Sequence, residues 1–214
     1  MKAADLKSRL KAAMERHDEH SRIRLHRALS WLARAEQEAE DPDARFIFLW
    51  IAFNAAYARQ FGNETPKREQ LGRFLAELVR FDTGERLKAA VFGQFSGPIR
   101  VLIDNPYVFQ PFWNALRDHD SSEAWKTQFE AAKRAALAAV MAGRTEQVLG
   151  IVFDRLYVLR NQLVHGGATW NSSVNRDQVR DGAAILGCLL PVFIDLMMDN
   201  SGHDWAMPHY PVVD

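Results

Sequence analysis

The segment that most restricts the fold is the apolar run at residues 46–57, which reads FIFLWIAFNAAY. Asn54 is its only strongly polar residue, so a helix built from this run is apolar on every side. Such a helix is stable only when other elements surround it, which predicts a position at the centre of a bundle. Asn54 either lines a site there or, as buried amides more often do, forms a hydrogen bond within the core.

Helical periodicity also dominates the rest of the chain, and no set of alternating strands with hairpin turns is found in it. The fold class is therefore predicted to be all-α, a helical bundle of four to five core helices. The first predicted helices cover residues 5–40, 43–61, 67–81, 85–95, 112–118 and 122–142. Two further helices are predicted to end at Gly166-Gly167 and near Met198. The predicted N-terminal caps are Asp41, the pair Asp120 and Glu123, Thr145, and Asn175.

Between residues 84 and 112, glycine and proline recur among apolar residues. These breakers prevent one long helix, but the segment is too apolar to be disordered. It is predicted to be an inserted, partly irregular segment packed on the bundle, with a short extended stretch allowed. With 214 residues, of which 48% are hydrophobic, the chain is long enough for one domain over residues 1–214. The tail, residues 201–214, is expected to lie against the body.

Charge and cysteine content narrow the function classes. The 27 basic and 27 acidic residues cancel, so no overall field attracts nucleic acid or a membrane. Residues 1–34 have an excess of lysine and arginine, so the first predicted helix is basic along most of its length. Cys188 is the only cysteine, which excludes an internal disulfide and a thiolate metal cage. There is no signal-peptide core and no run of about 18 apolar residues. We therefore expect a soluble, cytoplasmic protein with no membrane partner.

The sequence lacks several familiar catalytic motifs. No glutamate stands three residues before a histidine, as in di-iron bundles, and no nucleophile elbow, phosphate loop or dinucleotide turn is found. His17 and His20 could share a metal on one helix face, but the charged residues beside them favour a solvated surface. We therefore predict neither a metal site nor a cofactor.

The most informative motif is Arg160-Asn161-Gln162-Leu163-Val164-His165, near the end of a strongly apolar helix. The apolar residues of that helix form two stripes, Leu149, Val152, Leu156, Leu159 and Leu163 in one and Phe153, Tyr157 and Val164 in the other. Two apolar faces imply two packing partners. Because burying an unpaired charge costs several kcal/mol, Arg160 and His165 must face a wet cleft or meet another subunit.

Helix geometry sets how these side chains are grouped. At about 100° per residue, His165 lies about 40° from Asn161 and about 140° from Arg160, whose long side chain can still reach the same site. The trio suits RNA cleavage: the imidazole takes a proton from a ribose 2′-OH, the guanidinium holds the phosphate, and the amide orients them. The structural alternative is that Arg160 pairs with Asp154 or Asp181 while His165 helps to cap the helix.

At these residues the chain resembles the HEPN superfamily, all-α domains that are widespread in prokaryotes. The pattern Arg160-Asn161-x-x-x-His165 is similar to the superfamily motif of an arginine, a polar residue and a later histidine. The basic first helix with the pattern Ala28-x-x-Trp31-Leu32 supports the resemblance, and the block Trp50 to Tyr57 is similar to the second helix of the Apea-like and related branches. Gly167 departs from one branch, which has a tyrosine there, so control by modification of that tyrosine is not carried over.

The resemblance implies a homodimer in which the motif helices of two subunits form one cleft. It also implies a metal-independent endoribonuclease, as in toxin–antitoxin and phage-defence systems, that leaves a 2′,3′-cyclic phosphate. The implied catalytic residues are His165 as general base, Arg160 as phosphate clamp and Asn161 as positioning residue. The expected partners are an RNA substrate and an antitoxin or regulatory protein.

Two further expectations concern the substrate and the alternative function. Trp170 and the basic first helix are candidates for contact with single-stranded RNA, although Trp170 is equally suited to be a packing anchor. The alternative function is a non-catalytic HEPN module that serves dimerisation and binds a nucleotide or a partner.

Overall fold

The computed structural model describes residues 1–58, 67–94, 96–174, 176–208, 210 and 212. The protein is about 75% helical and, within these residues, contains no β-strand, which confirms the all-α helical bundle. The α-helices are α1 (Ala3–Ala12), α2 (Glu19–Ala35), α3 (Pro42–Tyr57), α4 (Lys67–Phe81), α5 (Arg86–Lys88), α6 (Ser96–Ile103), α7 (Gln110–Arg117), α8 (Ala124–Met141), α9 (Thr145–Val164) and α10 (Arg176–Asp199). Shorter 3₁₀ turns occupy Met14–Arg16 and Pro106–Val108, and Ala89–Gln94 is π-helical.

The chain forms two compact units. The first contains Met1–Arg86 and Gly182–Asp214, and the second contains Leu87–Asp181. A compact unit is not by itself a separately folding domain, so the single domain predicted over residues 1–214 stays a prediction.

In the first unit, the single helix predicted over residues 5–40 is wrong, because the chain leaves the helix between α1 and α2. Asp18 has extended backbone angles, and its carboxylate accepts hydrogen bonds from the Ser21 amide at 2.9 Å and the Ser21 hydroxyl at 2.7 Å. Such local bonds compete with the helix interior and favour an N-cap. α2 also ends at Ala35 rather than near residue 40.

Helix α3 forms much of the core of the first unit, as predicted. It begins at Pro42 after Asp41, whose carboxylate accepts a hydrogen bond from the Ala44 amide at 3.0 Å. Its long side of buried residues packs against α2, and Asn54 is half-buried. The buried residues of α3 are Asp43, Phe46, Leu49, Trp50, Ala52, Phe53 and Ala56. Helix α4 has the predicted bounds, 67–81. Helix α3 ends at Tyr57, because Ala58 has extended backbone angles, and the predicted end at Phe61 lies outside the described residues.

In the second unit, α9 is the most buried helix and packs against α8 and α6. The segment predicted to be irregular, residues 84–112, consists largely of short helical pieces, of which those after Arg86 belong to this unit. Its buried apolar residues include Leu87, Val91, Ile99, Leu102 and Val108. Glycine and proline therefore limit the length of each helix without preventing helices.

Two predicted caps in the second unit are wrong. Asp120 accepts a hydrogen bond from the Ser122 amide, and Glu123 has a φ of 55°, so the two do not form a capping box at the start of α8. Helix α9 begins at Thr145 itself, after Arg144, and has no side-chain cap. The predicted cap Asn175 lies outside the described residues.

The tail and the last helix differ in their exposure. Trp205 is buried against Phe74 and Phe81, as expected for a packed tail, but Met207 and Tyr210 are exposed. Among the described residues, α10 alone has the length and apolar composition of a membrane span, and 72% of that stretch is buried within the protein. The cytoplasmic location stays a prediction.

Candidate functional site

The end of α9 is closed by the two glycines that follow the motif. The Gly166 amide donates to the Leu163 carbonyl at 3.3 Å, and the Gly167 amide donates to the Gln162 carbonyl at 2.7 Å. This pair of bonds is the Schellman motif, in which the residue after the C-cap takes a left-handed conformation. Gly166 has that conformation, with a φ of +69°. The predicted stop at Gly166-Gly167 is confirmed.

The C-cap of α9 is His165. Its backbone amide donates to the Asn161 carbonyl at 3.0 Å, and its side chain is exposed. In the part of the chain that the structure describes, the imidazole makes no hydrogen bond. The alternative in which His165 caps the helix carbonyls through its side chain is therefore wrong, because the backbone amides of the glycines already do so.

One turn earlier, Arg160 is held by an amide rather than by a carboxylate. Its Nη1 donates to the Asn161 Oδ1 at 3.0 Å, while its Nε is buried without a hydrogen-bond partner. Within the described residues Arg160 forms no ion pair, and Asp181 is paired with Arg180. The structural alternative of a salt bridge from Arg160 to Asp154 or Asp181 is therefore wrong. The half-buried guanidinium keeps hydrogen-bond capacity for an anion.

The surface around this guanidinium is partly apolar. Tyr157 is 38% exposed and Val164 is 47% exposed, whereas Phe153, from the same predicted stripe, is buried. Tyr157, Arg160, Asn161 and Val164 are spaced by three, four and seven residues, so they share one side of the helix. The first predicted stripe is buried as far as Leu159, which makes α9 a helix with one buried face and one partly exposed apolar face.

Gln162 faces a different part of the second unit. Its Nε2 donates to the Tyr107 carbonyl at 2.6 Å, and the Trp113 Nε1 donates to the same carbonyl at 2.8 Å. The last turn of α9 is thereby tied to the turn that precedes α7. This tether helps to hold the backbone that carries Asn161 and His165 on either side of Gln162.

Arg155 is a buried cation that the sequence analysis missed. Its guanidinium lies 4.4 Å from the ring centroid of Phe109 and 5.6 Å from that of Phe129, and Nη1 donates to the Val108 carbonyl at 3.4 Å. Burial lowers the pKa of Arg155 to about 10, so it stays protonated at neutral pH. Its position on the apolar side of α9 was the sequence signal that could have identified it as a buried cation. Its role is to brace α9 against the aromatic residues around it.

The two histidines considered as metal ligands lie in the first unit and differ in exposure. His20 is exposed, but His17 is buried, so a solvated surface is the wrong description of His17. Both ring nitrogens of His17 are buried without a hydrogen-bond partner, and burial lowers its pKa. Among the described residues no group of three histidine, cysteine, aspartate or glutamate side chains is arranged to hold a metal ion.

The substrate-contact candidates remain predictions. Trp170 follows the motif in the second unit and is 74% exposed, which suits a platform better than a packing anchor. The basic first helix is divided into α1 and α2 of the first unit.

Comparison of the chain with protein-family models, with curated proteins and with solved structures finds no match.

Proposed function

We propose that this protein is a metal-independent endoribonuclease of HEPN type, with Arg160, Asn161 and His165 as its catalytic residues. The observation that carries the proposal is the state of Arg160: a half-buried guanidinium bonded to the Asn161 amide oxygen, with no carboxylate partner among the described residues. A buried arginine with a structural role normally has its donors or its charge engaged by distant parts of the fold, as Arg155 has with two aromatic rings and the Val108 carbonyl. Here the charge is held in place by a neutral group.

In the proposed RNA cleavage, each of the three residues has a defined role. The neutral His165 imidazole accepts the proton of a ribose 2′-OH, and the resulting O2′ attacks the adjacent phosphorus. The bond from phosphorus to O5′ breaks, so the products are a 2′,3′-cyclic phosphate and a 5′-hydroxyl, whose proton comes from an imidazolium or from water. The Arg160 guanidinium offsets the charge that builds on the phosphate oxygens. Asn161 orients the guanidinium through the bond at 3.0 Å.

A homodimer through α9 is part of the proposal. Exposed Tyr157 and Val164 on the side that carries Arg160 and Asn161 are the kind of apolar residues that a second copy would cover. A two-fold arrangement of this face brings two copies of the trio into one cleft, since an isologous contact pairs the same surface of both subunits. We propose that the protein acts as a toxin or in defence against phage. In either case its expected partner is an antitoxin or a regulatory protein.

The exposed apolar residues beside Arg160 also suit the second function, a non-catalytic module for dimerisation and for nucleotide or partner binding. In that case Arg160 binds phosphate, and no bond is broken.

The test is incubation of the purified protein with mixed RNA in EDTA. We expect cleavage by the parent and its loss in Arg160→Ala, Asn161→Ala and His165→Ala. His119→Asn is the matched control, because His119 is another exposed histidine of the second unit and asparagine tolerates its φ of 54°. Cleavage that persists in His165→Ala contradicts the proposed mechanism. A folded dimer that cleaves no RNA but binds nucleotide through Arg160 supports the second function instead.

A further inference from the structure

The second unit carries a cluster of aromatic side chains that its core does not absorb. Ring centroids lie 5.4 Å apart for Tyr107 and Phe112, 5.1 Å for Phe112 and Trp113, and 5.0 Å for Phe112 and Trp125. The contacts are edge-to-face, the preferred geometry of aromatic pairs. Clusters of this size usually fill a core, yet α7 contains no buried residue and Tyr107 is 50% exposed.

This aromatic cluster, Tyr107, Phe112, Trp113 and Trp125, is joined to the candidate site. The Tyr107 carbonyl accepts hydrogen bonds from Gln162 and from Trp113. On α9, Gln162 lies about 60° from His165 but about 160° from Arg160, at about 100° per residue. The cluster is therefore next to the His165 side of the helix, so a strand whose phosphate lies between Arg160 and His165 can continue towards it.

Polar groups suited to nucleotides border the rings. Along α7, the Gln110 Nε2 donates to the Asn114 Oδ1 at 3.0 Å, and the Arg117 Nη2 donates to the same oxygen at 3.4 Å. The Lys126 ammonium lies 5.9 Å from the ring centroid of Trp125. Amides and guanidinium groups beside partly exposed rings are the groups with which proteins bind unpaired bases and their phosphates.

We infer that the aromatic cluster is a stacking surface for the unpaired bases of a single-stranded RNA whose scissile phosphate lies at Arg160 and His165. The inference rests on the proposed function and names the substrate class that the site selects. Arg117 is already paired with Asp118, and Lys126 with Glu123. Stacking therefore supplies most of the affinity at this surface, and its contribution depends little on salt, unlike that of phosphate contacts.

Tyr107 is the best residue to test, because its side chain can be removed while its backbone carbonyl keeps the bonds to Gln162 and Trp113. Binding is measured in a His165→Ala background, which prevents cleavage, by fluorescence anisotropy of a labelled single-stranded RNA of about eight nucleotides. Adding Tyr107→Ala is expected to weaken binding about tenfold, whereas Tyr107→Phe restores it. Leu116→Ala is the matched control, since Leu116 is an exposed apolar residue of α7 without a ring.

The outcomes separate the stacking surface from the nuclease and from a protein-binding face. RNA binding that is the same in Tyr107→Ala and its parent overturns the stacking surface. If Tyr107→Ala and Leu116→Ala both change the sedimentation coefficient but not RNA binding, the surface is an interface between copies of this chain, and the inference is again overturned.

Cleavage assays in the His165-containing protein keep the two proposals distinguishable. If the parent cleaves RNA and Tyr107→Ala has the same KM, the nuclease proposal is supported and the stacking surface is overturned. If the parent cleaves no RNA, but Tyr107→Ala binds RNA about tenfold less tightly than the parent, the stacking surface is supported and the nuclease proposal is overturned.

Discussion

Two arginines in two parts of the molecule show how differently a guanidinium can be used. In the first unit, Arg24 is fully buried, and its Nη1 donates to the carbonyls of Ala56 and Ala58 at 2.8 Å each, at the end of α3. Its Nη2 donates to the Ala206 carbonyl at 3.1 Å. In the second unit, Arg160 is half-buried and donates to one amide oxygen, that of Asn161.

The difference follows from what each helix end needs. The last carbonyls of a helix lack partners and attract a cation, so Arg24 stabilises the end of α3 by donating from Nη1 and Nη2 to backbone carbonyls. At the end of α9, the amides of Gly166 and Gly167 donate to the last carbonyls. The guanidinium of Arg160 is therefore not needed to bond those carbonyls. A cation that the fold does not require is available to a ligand.

The largest expected effect is on stability, from Arg24→Ala. The change leaves one buried and several part-buried carbonyls of the first unit without this donor, so the free energy of unfolding should fall by about 3 kcal/mol. The measurement is a urea titration followed by circular dichroism. Arg22→Ala, an exposed arginine on the same helix, is the control and should cost less than about 0.5 kcal/mol. Equal costs for the two variants would show that Arg24 is not a structural cap.

Arg160→Ala should produce the opposite profile. RNA cleavage is expected to fall at least about a hundredfold because the phosphate loses its clamp, while the free energy of unfolding changes by less than about 1 kcal/mol. Arg160→Lys keeps the charge but not the planar donor group, so it should recover only part of the rate. A stability loss in Arg160→Ala as large as that of Arg24→Ala would contradict the conclusion that the fold requires Arg24 but not Arg160.

Gly166→Ala tests the turn that leaves Arg160 free. An alanine at a φ of +69° should cost about 1 kcal/mol of stability and move His165, so cleavage should fall as well. Gly143→Ala is a close match, because Gly143 follows α8 with a φ of +63°. It should cost the same stability, measured by thermal unfolding, without changing the rate per folded molecule. Equal rates for both glycine variants would mean that the turn does not position the site.

The smallest expected effect concerns His17, a buried side chain of the first unit that has neither the partners of Arg24 nor the exposure of His165. Burial lowers its pKa below the usual 6.5, so the folded state favours the neutral ring. Its contribution to stability is fully present above pH 6.5 and is lost as the pH falls through the lowered pKa. The difference in unfolding free energy between pH 8 and pH 5 should shrink in His17→Gln but not in His20→Gln. An unchanged difference in His17→Gln would contradict a buried neutral ring.

Local patterns predicted much of this fold. The bounds of α4, the cap of α3 at Asp41 and the stop of α9 at Gly166-Gly167 are confirmed, because each depends on neighbouring residues whose period, side-chain oxygen or φ is set locally. The break before α2 was missed. The bonds from Asp18 to Ser21 are also local, but an aspartate in a long periodic stretch resembles an ordinary exposed residue.

Arg155 and Arg160 show where prediction from sequence stops. Both stand on the same apolar helix, five residues apart, yet Arg155 lies against Phe109 and Phe129 while Arg160 is held by Asn161. The aromatic partners of Arg155 come from elements distant in sequence, and no period along α9 predicts them. The exposure of Tyr157 and Val164 depends in the same way on which helices pack beside α9.

The sequence by itself determined that the chain is all-α, that α3 is a buried core helix and that Arg160, Asn161 and His165 lie close to a helix end, because periodicity and capping act over a few residues. Only the tertiary structure decided that Arg160 has no carboxylate partner among the described residues, that His165 is exposed and that an aromatic cluster is tied to Gln162. Those facts depend on which side chains distant parts of the chain bring together, and packing, rather than local propensity, selects them.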